Sequence, residues 1–128
     1  MAVDMTMPIL VIDDYAAMRR IIRVLLLELG FTNIDQVDDG SAALAKLHER
    51  SYGLIISDMK MQPMHGLDLL LEVRRDAKLK QVPFIIVTAA ADAERVTTAK
   101  AAGASDYIVK PFAAETLRRK LENVLGAF

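Results

Sequence analysis

At 128 residues the chain is long enough to build one domain with a substantial core and too short for two ordinary ones. Hydrophobic residues make up 53% and charged residues 26%, and a formal net charge of -1 leaves no basic surface to neutralise nucleic-acid phosphates. The absence of cysteine excludes disulfides and thiolate metal sites and suits a reducing cytoplasm; no apolar run reaches membrane-spanning length, and "MAVDMTMP" lacks the features of a signal peptide.

Residues 1–7 read as a flexible lead-in, and residues 8–128 as one domain with no linker and no second domain. The run "ILVI" at 9–12 predicts a buried strand that ends directly in Asp13 and Asp14. A helix follows, in which Met18, Ile21, Ile22, Leu25, Leu26 and Leu29 recur at helical spacing as one buried stripe. Gly30 supplies its left-handed cap. Arg19, Arg20 and Arg23 lie off the stripe, and Leu27 points away from it near Val24.

A weaker strand, "IDQVD" at 34–38, precedes a helix ending around Arg50. The third strand, "GLIIS" at 53–57, delivers Ser57 and Asp58, and its helix ends around Asp76. "FIIVT" at 84–88 closes on Thr88. The next segment, "DAERVTTAKAA" at 92–102, has an apolar face of alanine plus Val96, so it is expected to dock least firmly before Gly103 ends it. "DYIVK" at 106–110 ends in Lys110, and a last helix carrying Leu117, Leu121, Val124 and Leu125 runs to near Gly126. Apolar strands alternating with helices predict an α/β, three-layer (βα)5 fold: a doubly wound, flavodoxin-like parallel sheet in the order 2-1-3-4-5.

In such a sheet ligands bind beyond the carboxyl ends of the strands, where strand order reverses. Asp13 and Asp14 close the first strand and Asp58 the third, so three carboxylates converge there. Like charges at short range resist joint ionisation unless a cation offsets them. Mg²⁺ fits that need, because it takes one or two carboxylates and keeps positions for water and phosphate oxygen. With Lys110 opposite, the edge suits a phosphoryl group, Asp58 being the nucleophile that forms an aspartyl-phosphate and Thr88 a hydroxyl donor to it. Taken singly, Asp14 would be a helix cap, Asp58 a turn residue, and Lys110 a solvated lysine. Their shared position at strand ends favours the joint reading.

The acidic pair at 13–14, "SDMKMQPMHG" at 57–66, "VTA" at 87–89 and "VKPF" at 109–112 resemble the receiver domains of two-component response regulators, especially the chemotaxis members. That resemblance implies phosphorylation on Asp58 by a CheA-like histidine kinase. It implies Mg²⁺ held by Asp13, Asp14, Asp58 and the backbone carbonyl of Lys60. It also implies phosphoryl contacts from Thr88, the backbone of Ala89 and Lys110, a cis Lys110–Pro111 bond, and a switch in which Thr88 and Tyr107 move together. A cytoplasmic monomer is implied, which assists its own phosphorylation and slow dephosphorylation and presents its fourth helix, fifth strand and fifth helix to a target such as the flagellar motor switch. The alternative within the same chemistry is a phosphorylation-controlled adaptor or phosphate sink acting on a kinase or scaffold.

The chain departs from the family pattern after the acceptor. Gln62 stands where proline is usual, with Pro63 one place later, and His65 replaces an acidic or polar residue. Lys60 stands where close chemotaxis relatives carry asparagine, and Ala90 offers an attacking water no polar help, so phosphate lifetime is expected to depend on Lys60. Leu27 is either an ordinary single exposed leucine or a docking spot for the kinase's helical phosphodonor domain, and His48 and His65 read as surface residues. A flavin or small-molecule enzyme is disfavoured, because "DDYAAM" has no glycine or hydroxyl cluster to cradle phosphate. A haloacid-type phosphatase would need a second aspartate where Lys60 stands.

Overall fold

Residues 3–60, 64–89 and 95–128 are described by a computed structural model of the chain. Five strands, β1 (Ile9–Ile12), β2 (Ile34–Val37), β3 (Leu54–Asp58), β4 (Phe84–Ala89) and β5 (Asp106–Lys110), alternate with five helices. The helices are α1 (Ala16–Leu29), α2 (Gly40–Glu49), α3 (Gly66–Arg75), α4 (Val96–Ala101) and α5 (Ala114–Leu125). All strand pairs are parallel and the order is β2-β1-β3-β4-β5, the doubly wound arrangement that the alternation predicts. Elements that the sequence places by periodicity and turn residues shift by no more than a residue at the strand ends.

Side-chain alternation along the central strands divides the core between the two faces of the sheet. On one face Leu10, Ile12, Ile55, Phe84 and Ile86 pack with Leu69, Leu70 and Val73 of α3, Ala43 and Leu47 of α2, and Ala99 of α4. On the other, Ile9, Val11, Leu54, Ile56, Ile85, Val87 and Ile108 pack with Ile22 and Leu26 of α1 and Leu117 and Leu121 of α5. Every residue of β1 and β3 is buried, which is why these strands read as unbroken apolar runs. Among the described residues no helix is long and apolar enough to cross a membrane.

The lead-in lies along the second face. Val3, Met5 and Met7 pack against that core, and the Met5 carbonyl accepts the Thr32 N–H at 3.2 Å. At the other end of α1, the expected cap is present: Gly30 has φ 108°, its N–H reaches the Leu27 carbonyl, and the Phe31 N–H reaches that of Leu26.

The α1 stripe is narrower than expected. Ile22 and Leu26 are buried and Met18, Leu25 and Leu29 partly so, but Ile21 is 48% exposed. Successive helical residues turn by about 100°, so Ile21 stands at the margin of the arc centred on Ile22 and Leu29 and turns toward solvent. In the fourth helix only Ala99 is buried, as its small residues imply. The expected start of that helix at 92–94, with Ala90, lies outside the described residues, as do Gln62 and Pro63.

Candidate functional site: an acidic cluster bridged by lysine

Register brings the site together. Ile12 pairs with Ser57, so Asp13 emerges beside Asp58. Asp58 pairs with Val87, Thr88 with Val109, and Ala89 with Lys110, which places the ends of four strands on one edge. Asp13 is 1% exposed and Asp58 9%, while Asp14 is open to solvent. One carboxylate oxygen from each of the three lies within 4.8 Å of the others.

Local hydrogen bonds hold the two buried acids in place. Asp13 Oδ1 accepts the Tyr15 N–H at 2.9 Å, which turns the chain into α1. Arg19 donates through Nη1 to the Asp13 carbonyl at 2.6 Å, and the Asp13 N–H reaches the Val37 carbonyl on β2. Beyond β3, the Met59 N–H bonds the Val87 carbonyl and the Gly66 N–H bonds the Met59 carbonyl. A Cβ on Gly66 would stand 2.0 Å from the Asp58 carbonyl oxygen, so the start of α3 is laid directly against the Asp58 backbone. Only glycine permits that approach.

Lys110 closes the cluster. Its Nζ lies 3.0 Å from Asp58 Oδ1 and 3.3 Å from Asp13 Oδ2, and the Lys110–Pro111 peptide is cis. Burial pushes the Asp58 carboxyl above the ordinary carboxylate range, the Asp13 charge pushes it further, and the Lys110 ammonium only partly offsets them. Burial alone would lower Lys110, but Asp58 and Asp13 together hold its pKa above the usual lysine value. Lys110 pairs with two of the three carboxylates, and a further cation among them would relieve their mutual repulsion. Opposite ligands on Mg²⁺ stand about 4.2 Å apart, close to the span of this oxygen set, so the donors fit a small hard cation.

Thr88 is buried at the end of β4. Its hydroxyl lies 3.9 Å from Met59 Sδ and 3.3 Å from the Ala89 carbonyl, both long contacts for a single proton to serve. Tyr107 pairs with Ile86 and sits on the edge strand β5, half-buried, on the same sheet face as Thr88. Its ring lies 4.2 Å from Lys120 Nζ and 5.3 Å from Lys100 Nζ. Lys60 is exposed two residues past Asp58. Away from the site, His48 is exposed and pairs with Asp76 at 3.1 Å, whereas His65 precedes α3 and is half-buried.

Sequence reading brings Asp13, Asp14, Asp58, Thr88 and Lys110 to this edge. It does not find Met59, which touches Thr88, or Arg19, which holds the Asp13 carbonyl. Arg19 carried a faint signal, since it borders the apolar stripe of α1 and not its solvent centre.

With this geometry in view, the sequence matches the response regulator receiver domain over residues 9–122. The chain belongs to that family. It is 45% identical over 118 residues to the chemotaxis protein CheY of Pseudomonas aeruginosa, covering 92% of this chain and 95% of that protein. It is 43% identical to CheY-3 of Vibrio cholerae over 118 residues, covering 92% and 91%. Among solved structures, CheY4 of Vibrio cholerae superposes with a TM-score of 0.86 at 32% identity, covering 94% of this chain and 99% of that one. The receiver domain of a Pseudomonas aeruginosa sensor histidine kinase, whose active-site cleft coordinates a magnesium ion, gives a TM-score of 0.85 at 28% identity and covers 95% and 99%. The chain is thus a CheY-related receiver domain with an acidic pocket of the kind that binds magnesium in that neighbour.

Proposed function

We propose that the chain is a chemotaxis response regulator that accepts a phosphoryl group on Asp58 from a CheA-like histidine kinase and then binds a target such as the flagellar motor switch; the relatives at 45% and 43% identity, both chemotaxis proteins, support the chemotaxis setting. The observation that carries this is the bridging of Asp58 and Asp13 by Lys110 within a three-carboxylate cluster. A buried carboxylate at a strand end, with a cation on one side and a cation-binding acid pair on the other, is equipped to attack phosphorus. In the transfer, an Asp58 oxygen forms the new P–O bond as the P–N bond of the kinase phosphohistidine breaks, and the departing imidazole takes up a proton.

Asp13, Asp14, Asp58 and the backbone carbonyl of Lys60 would hold Mg²⁺, which supplies charge neutralisation for the phosphoryl oxygens. Lys110 supplies a second positive charge to the same oxygens, and Thr88 and the backbone of Ala89 supply hydrogen bonds. The phosphoryl group adds nearly two negative charges and three strong acceptors, a better partner for the Thr88 hydroxyl than a thioether or a strained carbonyl contact. Thr88 then leaves its resting position, and Tyr107, on the same sheet face, follows inward. The altered surface of α4, β5 and α5 is what the target reads. The protein acts in the cytoplasm as a monomer.

Phosphotransfer from a CheA-type kinase, with and without Mg²⁺, tests the proposal. Label should reach the wild type only with metal and should not reach Asp58→Asn. Metal-independent labelling, or labelling of Asp58→Asn, overturns the acceptor assignment. Binding of a motor-switch peptide only in the presence of beryllofluoride separates the motor target from the adaptor alternative.

A further inference from the structure

The Tyr107 ring meets two ammonium groups from different helices. Lys100, in the last turn of α4, approaches its ring from one side at 5.3 Å; Lys120, in the middle of α5, approaches at 4.2 Å. Lys120 is itself fixed by a 3.1 Å ion pair with Asp106, whose same oxygen Oδ1 also accepts the Tyr107 N–H at 2.8 Å. Both members of that pair are largely buried, with side-chain exposures of 18% and 11%, so Lys120 is not a freely solvated lysine. The backbone and the ring of Tyr107 are therefore anchored by one connected set of groups.

We propose that Lys100 and Lys120 form a cation clamp that holds Tyr107 in its half-buried resting position and sets the balance of the switch. The inference rests on the Thr88–Tyr107 switch proposed above and adds the residues that oppose it. An ammonium over a ring face is attracted by the ring's quadrupole, and the attraction is lost when the ring leaves. Inward movement of Tyr107 breaks both contacts, while the Lys120–Asp106 pair, which does not involve the ring, stays behind. The contact free energy is thus differential between the two positions, which is what biasing a two-state equilibrium requires. The clamp also ties α4 to α5 across the edge strand. The poorly buried α4 is then held partly by Lys100, and release of the ring loosens it on the face the target reads.

The test follows the Tyr107 ring by NMR in protein carrying ¹³C-labelled tyrosine, titrated with beryllofluoride in saturating Mg²⁺. Variants are Lys100→Met, Lys120→Met, the two arginine replacements, and Asp106→Asn. Each methionine variant should shift the mimic-free Tyr107 signal part-way toward its saturated position and lower the half-saturating beryllofluoride concentration by roughly two- to fivefold. Arginine at either position, which keeps a cation over the ring, should restore wild-type behaviour. Lys100→Met leaves the Asp106 pair intact, so a loss of clamping there cannot come from that pair. A wild-type Tyr107 signal that ignores beryllofluoride sinks the switch reading itself. A signal that moves normally, with unchanged starting position and midpoint in both methionine variants, overturns the clamp alone.

Discussion

Lys110 Nζ lies 3.0 Å from Asp58 Oδ1, joining the last residue of β5 to the last residue of β3 across the intervening β4. The same ammonium reaches Asp13 at 3.3 Å, so one cation is shared by two buried acids. Removing it should have opposite effects on metal binding and on transfer. In Lys110→Met the carboxylates repel without relief, and a divalent ion that restores neutrality should bind several-fold more tightly, on the order of 1 kcal/mol. Phosphotransfer should nevertheless fall by about tenfold or more, because the charge facing the phosphoryl oxygens is gone. Calorimetric titration with MgCl₂ and a phosphotransfer time course measure the two effects; a weaker metal site combined with an undiminished rate contradicts this role.

The raised pKa of Asp58 makes a stability prediction with a definite sign. Burial first, and Asp13 second, favour the neutral acid in the folded protein, whereas the unfolded chain titrates near the ordinary value of 3.8. Between that value and the raised folded one, the native state binds more protons than the unfolded state, so stability falls as pH rises through the window. At neutral pH the ionised Asp58 is then a net cost. Asp58→Asn should melt higher than wild type at pH 7, and the advantage should vanish near pH 3. Saturating Mg²⁺ should raise the wild-type melting temperature by a few degrees at pH 7, as expected for a ligand specific to the native state, and much less in Asp58→Asn. A variant that melts lower than wild type at pH 7 would refute the assignment of strain to this carboxylate.

The strand ends were legible because burial on both faces writes each strand as an uninterrupted apolar run, so its last residue is marked by the first polar one. Asp13, Asp58, Thr88 and Lys110 were found in that way, and the strand order followed from right-handed crossovers. Contacts that depend on the distance between elements leave no such mark. Nothing in the periodicity of α5 says that Lys120 reaches around the edge strand to Tyr107, and nothing near Gly66 says that a Cβ there would meet the Asp58 carbonyl. The exposure of Ile21 was missed for a related reason: a repeat shows which residues share an arc, but the neighbouring elements decide how much of it is covered.

The Gly66 contact is a prediction about packing and chemistry together. A methyl group there meets the Asp58 carbonyl oxygen at 2.0 Å and Met59 Cα at 3.1 Å, and backbone cannot turn aside as a side chain can. Gly66→Ala should cost roughly 1–3 kcal/mol of stability and displace Asp58, so the proposed phosphotransfer should fall even where the protein remains folded. Gly40 provides the contrast. It also opens a helix, α2, but its added methyl meets the flexible Met64 side chain, with Cγ at 2.6 Å. A rotamer change moves Met64 Cγ and Sδ but not its Cβ, which would stand 2.9 Å away, so Gly40→Ala should destabilise the fold, though less than Gly66→Ala. Equal losses in the two variants, by thermal denaturation, would show that the backbone approach at Gly66 carries no special weight.

The exposed large apolar side chains among the described residues, Tyr15, Ile21, Val24 and Leu27, all lie on α1 or at its N-terminal cap. Single exposed leucines are ordinary, but four such residues on one element, beside the exposed Arg20 and Arg23, form a patch. The patch begins at the site, since the Tyr15 N–H bonds Asp13, and Leu27 lies about 18 Å along the helix from it. On the proposed reading a helical phosphodonor domain brings its histidine to Asp58, and this apolar surface leads there. Ile21→Asp and Leu27→Asp should each slow phosphotransfer, by roughly fivefold or more, while changing stability by less than about 0.5 kcal/mol. The effect should be larger for Ile21, which is closer to the site. Phosphorylation by a small-molecule donor such as acetyl phosphate needs no docking and should proceed at the wild-type rate in both variants. If both donors slow equally, the substitutions have damaged the acceptor site; if kinase transfer is unaffected while the fold is intact, the phosphodonor domain approaches by another face.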